Sequence, residues 1–102
     1  MTRLGLRTTV KVNIQIDPIG GLHMNDLDFT AKFTSGLRSL IVKKEDMTKV
    51  DNDNYIASVF TGKLGVGRLL MVISAEIPDA DIPGGVRLEV TPPIELDIIL
   101  VK

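Results

Sequence analysis

The chain of 102 residues has no cysteine and no tryptophan, only one histidine and one tyrosine, and three phenylalanines. Without cysteine there is no disulfide, so burial of apolar side chains must hold the fold by itself. Thiol nucleophiles and thiolate zinc sites go with it. The single histidine, His23, sits in a loop between Leu22 and Met24 with no partner near it in sequence. It reads as an ordinary surface histidine rather than a base or a metal ligand. With no tryptophan, the usual platform for a sugar ring is missing. Phe29, Phe33, Tyr55 and Phe60 are not interleaved with Lys and Arg as a nucleic-acid stacking surface would require.

Long apolar runs are missing too. No segment approaches the length of a membrane span, and Met1 to Thr8 carries basic residues without the apolar stretch of a signal peptide. The expectation is a protein made in soluble form in the cytoplasm, with no membrane insertion. A formal net charge of −1 provides no field for nucleic acid, so none is expected as a partner. The charge is uneven: residues 1–50 hold eight Lys or Arg against five Asp or Glu, and residues 51–102 hold four against eight. Pairing of basic with acidic strand edges is the simplest expectation from that split.

Alternation of apolar and polar residues is abundant. From Arg68 to Ile77 every odd position is apolar, and the stretch runs from the glycine-rich Gly62–Gly67 to Pro78. This predicts a central strand with one fully buried face. Thr8–Asp17, Leu27–Phe33, Arg38–Lys43, Tyr55–Phe60, Val86–Thr91 and Ile94–Val101 read as further strands, and Ser35-Gly36 as a hairpin turn. Lys44–Val50 suits a single helical turn or an irregular crossing between sheets, with Met47 and Val50 plugging the core. About seven short strands without a convincing helix predict an all-β, antiparallel immunoglobulin-like β-sandwich, a single domain over residues 1–102, with residues 1–7 free to act as a flexible arm. A small β-barrel is the alternative.

Motifs that carry chemistry fail their tests. Gly62–Gly67 lacks the Ser or Thr that a phosphate-binding loop needs after Gly-Lys, and a strand rather than a helix follows it. Asp51-Asn52-Asp53-Asn54 resembles the start of a calcium loop, but Tyr55, Ile56 and Gly62 occupy positions that need a ligand, a glycine and a glutamate. Asx residues form β-turns through their own backbone, which explains the tetrad without a metal. Asp79 and Asp81 lie in the loop Pro78–Gly85, where turn formation explains them better than paired acid and base roles. No catalytic residue, cofactor site or metal site is therefore assigned, and an enzyme is not expected.

Two apolar pairs remain that one core cannot absorb. Leu70 and Val72 lie on the far face of the central strand, and Ile99 and Val101 end the far face of the last strand. These four form the candidate interface, and the last strand offers an edge to which another chain can add.

Val42–Met47, Val50–Ala57, Leu64–Gly67 and Ile77–Arg87, taken together, resemble small β-sandwich proteins of phages and phage-like mobile elements. Those are similar to the N-terminal immunoglobulin-like domain of phage baseplate upper proteins. The resemblance covers about residues 26 to 91 and rests on turn and strand signatures. It implies a non-enzymatic structural or assembly role at a tail or baseplate, virion association, and protein partners that include further copies or other tail proteins. A ligand- or glycan-binding adhesin-like module is the alternative.

Overall fold

A computed structural model describes residues 1–102. Nine strands follow one another along the chain: β1 (Thr2–Gly5), β2 (Thr9–Gln15), β3 (Asp28–Ser35), β4 (Arg38–Lys43), β5 (Thr48–Asp51), β6 (Asn54–Phe60), β7 (Gly67–Pro78), β8 (Val86–Val90) and β9 (Ile94–Val101). Three short 3-10 turns are the only helical residues. The larger sheet has the order β1-β9-β7-β3-β4, with β8 also paired to β7; the smaller has the order β2-β6-β5. The two sheets stack as a β-sandwich and do not close into a barrel.

β7 organises the molecule, as the alternation predicts. Leu69, Met71, Ile73, Ala75 and Ile77 are all buried. Facing them are Val10, Val12 and Ile14 of β2 and Tyr55, Ala57 and Val59 of β6, with Phe29, Ala31 and Phe33 of β3 beside them. Pairing of β2 with β6 puts Val10 opposite Val59, Val12 opposite Ala57 and Ile14 opposite Tyr55, so the inward rows register side by side. Each large side chain buried there contributes roughly 1.5–3 kcal/mol.

One edge of β7 pairs with β3 along its length, and the other is shared end to end by β9 and β8. Pro92-Pro93 separates those two and cannot supply ladder donors. Thr91 bridges the gap: its N–H donates to Ile73 O at 2.9 Å, and its Oγ1 accepts from Ile73 N–H at 3.0 Å. A second irregularity lies between the Arg68–Ile99 and Leu70–Glu95 pairs, where Asp97 takes φ 60°.

The glycine-rich stretch has a packing role. Ser35 is buried, with Oγ 2.7 Å from Gly65 O and 3.0 Å from Gly67 O, and Ser35 O accepts from Gly65 N–H at 3.1 Å. A side chain at Gly36, φ 60°, would place Cβ 2.8 Å from Val66 O. Backbone lies on backbone here, and only glycine permits the approach.

Four expectations need correction. Residues 1–7, expected as an arm, supply β1, which runs parallel to β9 with Leu4 opposite Leu100. The edge of β9 is therefore occupied over Ile98–Val101, and the open edges on that side of β7 are those of β1 and β8. Lys44–Val50 does hold a single 3-10 turn, Lys44–Asp46, on the crossing from the larger sheet to β5 in the smaller, and Met47, just before β5, packs on the core. Val50 does not, but lies at a bulge, 57% exposed. Strands of the basic half do pair with strands of the acidic half, β1 with β9, β2 with β6 and β3 with β7, but opposite charges do not face each other there. Arg3, Lys11 and Lys32 stand opposite Ile99, Ser58 and Val72, and only His23 with Asp53 joins titratable side chains of the two halves. Arg68 pairs with Glu95, and Arg87 with Asp79 and Glu89, all within the acidic half.

Candidate functional site

The inner face of the larger sheet packs on the smaller sheet, and no other part of the chain forms a layer over its outer face. Even-numbered residues of β7 point outward, so Arg68, Leu70, Val72, Ser74 and Glu76 cross this face in a row. Register extends the row sideways: Leu70 lies between Thr34 and Glu95, Val72 beside Lys32, Ser74 between Thr30 and Val90, and Glu76 between Asp28 and Leu88.

The four interface candidates all lie on this face, each half-buried. Leu70 and Val72 hold the middle of β7. Ile99 sits opposite Arg68, and Val101 lies one step beyond it on the same side of β9. An ion pair divides the two couples, because Arg68 Nη1 reaches Glu95 Oε1 at 3.6 Å diagonally across the bulge. Toward the other end, β8 presents Val86, Leu88 and Val90, 45%, 63% and 55% exposed, and β4 presents Ile41. Alternation in β8 signalled this row, but which of its faces would be left bare depended on how the sheets overlap.

A groove of about 730 Å³ opens where β3, β7 and β8 meet the turn after β4. Asp28, Thr30, Lys43, Ser74, Glu76 and Leu88 are among its lining. Lys44 closes one side: its Nζ donates to Asn25 O at 2.9 Å and Leu27 O at 2.7 Å, and lies 5.6 Å from the Phe29 ring centroid and 6.0 Å from that of Tyr55. Its charge is thereby committed to holding the loop before β3 against the sheet. Asp28 and Glu76 stand directly opposite each other and offer acceptors, with no nucleophile held by a base. Tyr55, 4% exposed, packs edge-on against Phe29 at 5.2 Å. Burial, with a smaller contribution from Asp26, pushes its phenol pKa above the ordinary 10.0.

His23 does have a partner, thirty residues along the chain. Its Nδ1 lies 2.8 and 3.0 Å from the two carboxylate oxygens of Asp53. A carboxylate only accepts, so Nδ1 carries the hydrogen. Around it, Asp51 Oδ1 accepts from Asp53 N–H and both Asp51 oxygens accept from the Asn54 side chain, which forms the tight turn between β5 and β6. These bonds hold the Asp51 carboxyl below the ordinary 3.8, the Asn54 amide being the largest cause. The polar tetrad is a turn built on its own side chains, as its composition predicts. Asp79 behaves similarly, accepting from Asp81 N–H at 3.0 Å.

In comparisons with family models, curated proteins and solved structures, the chain finds no significant match. No helix is long and apolar enough to cross a membrane.

Proposed function

We propose that the protein is a non-enzymatic assembly module whose larger sheet docks another protein through its outer face. The carrying observation is that face itself: apolar residues from β4, β7, β8 and β9 share one surface that no second layer covers. The resemblance of its turn and strand signatures to phage baseplate domains supports a place in a tail or baseplate, in contact with further copies or neighbouring tail proteins.

Magnitudes bear on how such a module works. Leu70, Val72, Ile99 and Val101 are already half-buried, so covering what remains exposed contributes roughly half of the 1.5–3 kcal/mol for each full burial, about 3–6 kcal/mol together. Loss of rigid-body freedom costs about 4–15 kcal/mol. One contact is marginal, whereas a ring or array makes the same contact effective through multivalency.

Light scattering from low micromolar to near-millimolar concentration tests the reading. The weight-average mass is expected to climb above the chain mass of 11.1 kDa, and Val72→Asp to climb less while keeping its circular dichroism spectrum. An unfolded Val72→Asp chain would return that residue to the core and remove the argument.

The groove favours a second reading, an adhesin-like module for a small ligand or glycan. Its volume suits one, although Tyr55, the aromatic most suited to a sugar, is buried. Glycan titrations that shift the Thr30 and Ser74 amide resonances would decide for it.

A further inference from the structure

β8 is a strand with one partner. Its N–H and C=O groups divide strictly between two sides: Thr91 N–H bonds Ile73 O, and Gly85 O accepts from Asp79 N–H, so the odd-numbered residues turn toward β7. The backbone groups of Val86, Leu88 and Val90 therefore face the free edge. Such an edge is a template for another strand.

The other open edges carry features that discourage this. β1 is only four residues long and holds Arg3, β2 holds Lys11, β5 holds Lys49 and a bulge at Val50, and antiparallel self-pairing of β4 sets Arg38 against Lys43 of the second copy. β8, Val86-Arg87-Leu88-Glu89-Val90, is the opposite case. It is self-complementary about Leu88.

We infer that β8 joins two copies of this chain across a two-fold axis at Leu88, extending the larger sheet of one protomer into that of the other. Antiparallel pairing about this axis sets Leu88 against Leu88, and Val86 against Val90, of the two copies. These are the positions whose backbone groups face the edge, so about six hydrogen bonds form. Arg87 then stands opposite Glu89 of the second copy, twice, at the closer non-hydrogen-bonded positions where cross-strand side chains interact best. Arg87 has use for that partner. Its Nε is buried without a hydrogen bond, 4.0 Å from Asp79 Oδ2, and its Nη2 stands 3.4 Å from Glu89 Oε1 of its own strand. The pairing is isologous and closes at two copies.

This inference rests on the assembly reading but not on the outer-face contact, and charge reversal separates the two. Sedimentation equilibrium of the full chain should show a dimer of twice the 11.1 kDa chain mass. Glu89→Arg alone and Arg87→Glu alone each set like charges opposite one another at both positions and should weaken dimerisation roughly tenfold or more. Mixed in equal amounts, the two variants restore opposite charges at every position and should form the heterodimer. Leu88→Pro removes an edge-facing N–H that the β7 ladder does not use, and should leave the chain folded while weakening the edge dimer roughly tenfold or more. Val72→Asp should leave this dimer in place, so its failure concerns the outer face and not the edge. A wild-type chain that stays monomeric to near-millimolar concentration, folded charge variants that fail to dimerise when mixed, or a Leu88→Pro dimer of wild-type affinity would each overturn the pairing.

Discussion

Asp51 is fully exposed, yet hydrogen bonds from the Asn54 side chain and the Asp53 backbone hold its folded-state pKa below 3.8. A carboxyl with a depressed folded pKa adds stability above its unfolded value and loses it as pH falls through the folded one. Thermal melts from neutral pH down through 3.8 should therefore fall more steeply for the wild type than for Asp51→Asn. The variant keeps an acceptor for the turn but has no proton to gain. Equal slopes would mean that the turn bonds do not favour the ionised form. Single residues were legible where the chemistry was local. The turn role of Asp51 follows from its own short polar side chain, whereas the bond of His23 to Asp53 joins positions thirty residues apart and leaves no mark in either segment. Only the sheet register brings them together.

At the scale of elements, the outer face contains a like-charge conflict. Asp28 on β3 and Glu76 on β7 are directly opposite. Replacing Glu76 with Lys turns repulsion into attraction and should stabilise the fold by roughly 0.2–1 kcal/mol, read as a higher urea midpoint that sinks toward the wild type in high salt. No gain would mean that both carboxylates are already solvated independently. Most of the strands that alternation revealed have one buried face: β2 reads exposed and buried by turns over Thr9–Gln15, and β7 does so over most of its length. β8 has none and was legible because Val86, Leu88 and Val90 alternate with Arg87 and Glu89 over five residues. β1 and β5 were missed because each has only four residues and a single apolar side chain, Leu4 and Val50, so neither carries a period to detect. That omission also explains the error over β9, whose edge looked open only because the strand that fills it, β1, was invisible. The four interface candidates were found from the alternation alone, but the row on β8 required the overlap of the sheets.

The whole molecule is elongated, 48 × 27 × 22 Å, because three strands cover only part of a six-stranded layer. β1 seals the end of that layer, and Leu4 and Leu6 pack against the core behind it. A chain lacking residues 1–5 should lose roughly 1 kcal/mol from the partial burial of Leu4 and, with β9 uncovered, should aggregate. Retention of the wild-type midpoint and solution mass would mean that β1 contributes neither packing nor protection. The same pairing sets a timetable for folding. Thr2 meets Ile98 far along the chain, so β1 has no place to dock during synthesis until β9 is made. Closing so long a loop delays the contact's reward, and the large sheet completes itself late. Until then β1 waits unpaired, and a chaperone that holds it would shorten no step of the fold but would spare it the company of other nascent chains.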